Sequence, residues 1–375
     1  MELATINSSG HITDIVDNYS SLIWTQRYYE AGDFELVAPV TQKTSSIVPG
    51  SKLIRLGLLD AQQSIMIAQS VTRTEDLEEG PKLTITGRDL KDVLRQRVLY
   101  YARLIEDEQT TEKFYTIIND LVTRNLSSSA DETARQISGL TVKNYTSGDP
   151  IFDIVVDAFS IGKGANLYET VLDYCLLKSV GFDVLASSSD FNVWQFKLYS
   201  GVDRSSTQSV VPPVIFSPEF ANLSSSTFVD DITDYATHTL ICGEDDENEP
   251  EGRIWIEEAA SGSVKTGLNR REIFTDASGK SATVDGWEVD DDEYLTIIKT
   301  EGQTDLKKHQ SVSAFDGEVL HNGQFKIGVD YNIGDIVTVA DSSGNATRAR
   351  ITEYIRSMDG DGYKEYPTFE KIEET

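Results

Sequence analysis

Four histidines (His11, His238, His309 and His321), two cysteines (Cys175 and Cys242) and 62 acidic side chains are the groups in this 375-residue chain that could do acid–base, nucleophilic or metal chemistry. No two histidines stand at the one-helix-face spacing of a zinc hydrolase, and two cysteines make neither a disulfide framework nor a zinc site. Each histidine therefore reads as a surface or packing residue, and both cysteines read as buried thiols. No Gly-x-Ser-x-Gly elbow occurs, so joining a serine to His238 and one of so many acids would be arbitrary.

Phosphate and cation motifs are equally incomplete. Gly279, Lys280 and Ser281 need an upstream glycine where Phe274 stands, and the start of a dinucleotide fingerprint at Gly162 and Gly164 is broken by Leu167. Asp359, Gly360, Asp361 and Gly362 open like a calcium loop, yet Tyr363 falls at the fifth position, so the hard-ligand set is incomplete even with Glu370 at the twelfth. A tight turn is expected instead. Asp290, Asp291, Asp292 and Glu293 are consecutive and point in different directions, the pattern of a solvated charge run. No spacing selects a carboxylate pair for glycoside cleavage. The expectation is no catalytic, cofactor-binding or metal-binding residue and no cofactor.

The elements that would position such groups come next. A net charge of −29 opposes gripping of phosphate backbones, which needs clustered Lys and Arg. Solubility through net charge is the expected role of this acidity; the other reading is an acidic channel wall that repels DNA and lets it slide. The start has neither a basic region nor an apolar run, and no stretch of about 18 apolar residues occurs, so neither a signal peptide nor a membrane helix is expected. Synthesis in a cytoplasm follows, and the glycosylation-like triplets at Asn7, Asn125, Asn144, Asn222 and Asn345 read as loop residues.

Residues 2–101 read as short strands between Gly, Pro, Asp and Ser turns. Phe34, Leu36, Ala38 and Val40 mark a buried face, with Pro39 signalling an edge or a strand end. At residue 110 the period changes. Phe114, Ile117, Ile118, Leu121 and Val122 share a helical face, and a second helix is expected over 167–179 with Gly181 as its cap. Strands resume at 181–185 and 193–199. The acidic segment 244–251 reads as a hairpin loop between strands at 239–242 and 253–257, residues 290–305 as a charged helix, and 312–367 as strands again. Within 348–355, Ala349, Ile351 and Ile355 are expected on the buried face, opposite Arg350, Thr352 and Tyr354. The fold class is α+β, mainly β.

Five ordered segments resemble the siphophage tail-tip hub family, the relatives of the N-terminal part of tail-associated lysins and of baseplate hubs. They are Tyr28, Gly32, Phe34 and Leu36 followed by Ile85, Thr86, Gly87, Arg88 and Asp89; then Phe216, Ser217, Pro218, Glu219, Phe220, Ala221, Asn222 and Leu223; then 267–274. Asp316, Gly317 and Glu318 with Gly328, Asp330, Tyr331, Gly334, Asp335, Ile336 and Val337 follow, and Arg350, Ile351, Thr352 and Glu353 with Tyr366, Pro367, Thr368 and Phe369 close the series.

The resemblance implies a homotrimer whose two barrel-like domains per subunit form a pseudo-sixfold ring, with an inserted α+β domain and a peripheral domain outside it. The implied boundaries are 1–104 and 201–243 for the first hub domain, 105–200 for the insert, 244–310 for the peripheral domain and 311–375 for the second hub domain. Implied partners are the hexameric distal tail ring protein, the tape measure protein and receptor-binding proteins. The implied place is the virion tail tip, where the trimer caps the DNA channel until host attachment. Many relatives continue into fibres or wall-cutting domains, whereas this sequence stops at Thr375, so a non-enzymatic hub is expected. Two alternatives stand beside it: a cell-wall hydrolase with an unrecognised acid pair, and a carbohydrate-binding adhesin using Trp24, Trp194, Trp255 and Trp287. Core packing is expected for Trp194 and Trp255.

Overall fold

The computed structural model describes residues 1–56, 62–76, 80–101, 103–105, 112–156, 159–220, 222–246, 249, 251–260, 264–280, 283–284, 287–288, 291–319, 324–340 and 346–372. The architecture is mainly β with few helices. Among the described residues, one 13-stranded sheet runs from Leu223–Asp231 through Val312–Val319, Gly362–Lys371, Ala346–Asp359, Ser21–Arg27, Asp33–Pro39, Gly80–Asp89, Ile65–Asp76, Lys52–Arg55 and Leu3–Ile6 to Ile12–Val16. It does not close into a barrel. Ile215–Phe216 and Ile336–Ala340 branch from this path.

Alternation explains why these segments are strands, since period-2 burial gives each an apolar side. Phe34, Leu36 and Ala38 are buried while Glu35 is exposed, and Pro39 stands at the strand end, where a missing N–H costs least. The Asp33–Pro39 strand is internal to the sheet, paired on both sides. The sheet packs two separate cores: Leu22, Trp24, Phe34, Leu36 and Ile85 belong to the first, and Phe216, Tyr331, Val337, Ile351, Tyr354 and Phe369 to the second. Val214 and Leu223, from the segment returning to the sheet, pack in the second core. The lobes are fused where Ser21–Arg27 pairs antiparallel with Ala346–Asp359, placing Arg27 opposite Glu353 and Trp24 opposite Arg356.

One strand departs from its expected phase. The register slips between Ile351 and Glu353, so Thr352 is an extra residue and the faces exchange beyond it. Tyr354 and Arg356 are therefore buried, while Ile355 is only half-buried. That bulge turns Arg356 inward.

A third core joins the first β lobe to an α+β unit whose helices are Phe114–Asn125 and Leu167–Leu177, with Phe114, Ile117, Ile118, Leu121 and Val122 all inside. The second helix ends two residues before its expected limit, and Gly181 is not its cap. Ser179 takes the left-handed turn at φ 53°, and Gly181 instead begins the next strand, Gly181–Ser187. The 127–149 segment, rich in Ser, Thr, Asp and Gly, contributes the short strand Leu140–Val142, parallel to Trp194–Tyr199.

The remaining unit is a three-stranded sheet of Arg253–Ala259, His238–Asp245 and Glu272–Asp276 backed by the helix Asp291–Lys308. Its hairpin brackets the acidic segment as expected. A Cβ on Gly302 would meet Ile241 Cδ1 at 2.4 Å, which explains a glycine inside this helix: it lets the helix sit directly on the sheet. Lys308 Nζ bridges to Asp173 at 2.9 Å and ties this helix to Leu167–Leu177.

Candidate functional site

The motif residues converge on a junction where the two β lobes meet the α+β unit. The Tyr28 amide donates to the Thr352 carbonyl at 2.8 Å, and its fully buried ring crosses toward the α+β unit. There its hydroxyl donates to the Tyr199 carbonyl at 3.0 Å, with the Ser179 carbonyl at 3.2 Å. Arg350 lies 5.0 Å from the ring centroid and donates from Nη1 to the carbonyls of Ser200 at 2.7 Å and Gly334 at 2.8 Å. A Cβ on Gly181 or Gly334 would reach within 2.4 Å of the Tyr28 ring, and Gly334 also has φ 94°. Burial raises the phenol, against the Arg350 charge, to about 12, so Tyr28 acts here as a neutral donor.

Beneath this ring, the turn 27–32 wraps a buried ammonium. Lys91 Nζ donates to the carbonyls of Arg27 at 2.6 Å, Glu30 at 3.0 Å and Tyr28 at 3.4 Å. Asp89 accepts from the Gly32 amide at 2.8 Å and from the Lys91 amide at 3.0 Å, capping the 3-10 helix Leu90–Gln96. Burial pushes its carboxyl up to about 7, outweighing the opposing pull of Lys91 and the two amides. Gly32 has no alternative, because a Cβ would lie 2.3 Å from the Thr25 carbonyl oxygen.

The junction forms an open cleft of about 1250 Å³ whose walls include Arg55, Arg356, Asp89, Asp183, Tyr199 and Asp335. Asp335 is held by Arg204 Nε at 2.9 Å and by the amides of Val202 and Asn332 at 2.7 and 3.0 Å. With both Asp89 oxygens also taken by amides, these two acids act as structural clamps. Opposite them, Arg55 and Arg356 are only 7% and 4% exposed. Arg356 Nη1 donates to Gln26 Oε1 at 2.6 Å, and its Nε lies 3.7 Å from Glu365.

The residues singled out for chemistry lie apart from one another. His238 is buried, with Nδ1 2.9 Å from Thr237 Oγ1 and Nε2 accepting from the Lys265 amide at 3.3 Å. His309 sits against the Asp305 carbonyl, His11 is exposed, and His321 lies outside the described residues. Both cysteines are buried, and burial pushes the Cys175 thiol up, away from the reactive thiolate. Among the described residues, no three His, Cys, Asp or Glu side chains gather where a metal could sit.

The loop motifs resolve as turns. Asp359 Oδ1 accepts from the Asp361 amide at 2.9 Å, and Gly362 has φ 107°, making the hairpin between the last two strands. The Lys280 amide donates to the Ala277 carbonyl and its ammonium bridges to Glu301 at 2.9 Å, whereas Ser281 lies outside the described residues. Asp290 also lies outside them, and Asp291 and Asp292 are exposed in the first turn of the last helix.

Of the tryptophans, Trp24 and Trp194 are buried, but Trp255 is 39% exposed, against expectation. It lies on the sheet face away from the helix, 6.2 Å from Phe274. Alternating strand residues serve two faces, and the helix covers only the face carrying Ile241. The motif around Phe216 is a folding device as well. Asn222 accepts from the Ser217 amide at 2.9 Å and donates to the Ile215 carbonyl at 2.7 Å, while Phe216 fills the second core. Ala221 lies outside the described residues.

This mainly β architecture is the fold of phage tail proteins. It matches the tail protein from Neisseria meningitidis MC58 with TM-score 0.57 at 11% identity, covering 99% of this chain and 96% of that one. The 43 kDa tail protein of prophage MuSo2 from Shewanella oneidensis matches at 0.56 and 13%, with 98% of each chain covered. Prophage tail protein gp18 from Listeria monocytogenes EGD-e matches at 0.51 and 11%, covering 100% and 95%. Within that class, the chain belongs to the Siphovirus ReqiPepy6 Gp37-like protein family, which it matches over residues 3–369. No curated protein sequence matches it.

Proposed function

We propose that this chain is a non-enzymatic hub of a phage tail tip, in which three copies form a ring and the two β lobes of each give six similar positions. The ring adapts to the hexameric distal tail ring, contacts the tape measure protein and receptor-binding proteins, and caps the DNA channel until host attachment. In this reading residues 1–104 with the return segment 201–243 supply the first barrel-like hub unit and 311–375 the second, the strand Leu223–Asp231 of the return segment pairing with Val312–Val319 of that second unit. Residues 105–200 form the insert and 244–310 the peripheral domain. The carrying observation is the open sheet with two unlike edges. Ile12–Val16 and Leu223–Asp231 each pair on one side only among the described residues, and they lie at opposite ends. Unlike edges suit head-to-tail association, which closes into a ring when the rotation permits. Ile12 and Ile15 at one end are 43% and 44% exposed, as an assembly surface would be.

The test is the mass of the purified protein by light scattering together with images of the tail. A trimer at the tail tip supports the hub, and a strictly monomeric protein absent from virions overturns it.

One observation favours a second reading, a carbohydrate-binding adhesin. Trp255 and Phe274 form an exposed aromatic pair beside Leu240, which is 46% exposed, on the peripheral sheet. Aromatic faces of this kind stack on sugar rings.

A further inference from the structure

The Arg55–Arg356 corner of the cleft is positive in a chain of net charge −29. Arg55 projects from the strand Lys52–Arg55 and is 7% exposed, yet its guanidinium makes no hydrogen bond or ion pair with any described residue. Burial and then the neighbouring Arg356 charge lower Arg55 to about 10, against the opposing pull of Tyr363, Glu365 and Tyr354. Glu365 acts on both arginines, but it already accepts from the Tyr363 hydroxyl at 2.6 Å and faces Arg356 Nε at 3.7 Å. Among the described residues, two buried guanidinium groups thus share one carboxylate.

A buried cation of this kind is costly unless a counter-charge reaches it. The cleft beside it has room for one, about 1250 Å³. Arg356 is held in place by Gln26 and by stacking on Tyr354 at 4.4 Å, so its orientation is set before any ligand arrives. The planar donor fork of a guanidinium matches two oxygens of one acid group. We propose that this corner is an oxyanion site, with Arg55 as the principal donor and Arg356 as its fixed partner. The acidic clamps Asp335 and Asp89 on other parts of the wall leave this corner as the place where an anion is favoured.

The test is the thermal unfolding midpoint of the full chain titrated with sodium phosphate, sodium succinate or sodium chloride at equal ionic strength. Saturable binding raises the midpoint by about 3 °C at concentrations far above the dissociation constant, and chloride does not reproduce it. A response to phosphate alone marks the ligand as a phosphate, and one to succinate alone marks it as a carboxylate. Arg55→Met abolishes the response, and without added anion its midpoint equals or exceeds that of the parent, because a buried charge that only shares a counter-charge has gone. Arg55→Lys keeps the charge but loses the fork, and weakens apparent affinity about tenfold. Identical responses to all three salts, an Arg55→Met variant that responds like the parent, or one whose midpoint falls by several degrees, would each overturn the proposal.

Discussion

Lys91 and Asp89 show what single residues contribute to the junction. The Lys91 ammonium satisfies the carbonyls of the turn that carries Tyr28, so Lys91→Met leaves buried acceptors unpaired and costs about 3 kcal/mol, measurable by urea unfolding. Asp89 imposes a pH dependence whose sign is opposite to that of a salt-bridged acid. Its carboxyl sits at about 7 in the folded chain against about 3.9 in an unfolded one, so the folded state holds an extra proton between these values. Stability at this group is full below about pH 4, falls as pH rises towards 7, and is flat above. Asp89→Asn removes this decline, about 3 kcal/mol between pH 4 and pH 7, which unfolding curves of the two proteins across that range would reveal. Gly334→Ala meets both a positive φ and the Tyr28 ring, and lowers stability by about 2–3 kcal/mol in the same assay.

At the scale of elements, legibility followed locality. The helix Phe114–Asn125 was readable because its five apolar residues repeat at steps of three and four, and local period alone decides that face. The acidic hairpin was readable for the same reason. The bulge at Thr352 was not, since an extra residue is defined by the partner strand Gly362–Lys371 and not by its own sequence. Everything beyond it inverted, which is why Tyr354 and Arg356 entered the core side unannounced. Arg55 was hidden similarly, as one charged residue ending a four-residue strand. Trp255 misled because an apolar strand segment does not say which face a helix will cover. Its exposure yields an element-scale prediction: if the peripheral sheet is an adhesive face, Trp255→Ala reduces retention on purified host cell walls at least tenfold with unfolding unchanged. Equal retention removes the adhesin reading and leaves the hub reading standing.

For the whole molecule, the decisive pairing joins Ser21–Arg27 to Ala346–Asp359, elements more than 300 residues apart, and no local pattern in either segment announces it. What could be read at that distance was only the ordered series of short motifs, and the structure explains their residue types: Tyr28 bonds the second lobe at Thr352 and the α+β unit at Tyr199, while Arg350, Gly334 and Asp335 tie the second lobe to the segment 200–204. The same scale carries the assembly prediction. In the proposed trimer each copy would bring a charge of −29, so assembly would gather like charges whose repulsion is screened beyond the Debye length, about 10 Å at 0.1 M salt. If apolar edge contacts drive association, the trimer is favoured by salt, and the protein concentration at half-assembly falls by about tenfold between 0.05 and 0.5 M sodium chloride. Ile12→Glu with Ile15→Glu places two more charges on one edge and shifts the equilibrium to a folded monomer at both salts. Sedimentation or light scattering over these conditions measures both effects. An assembly that weakens as salt rises would mean that ion pairs, not strand edges and apolar contacts, hold the subunits together.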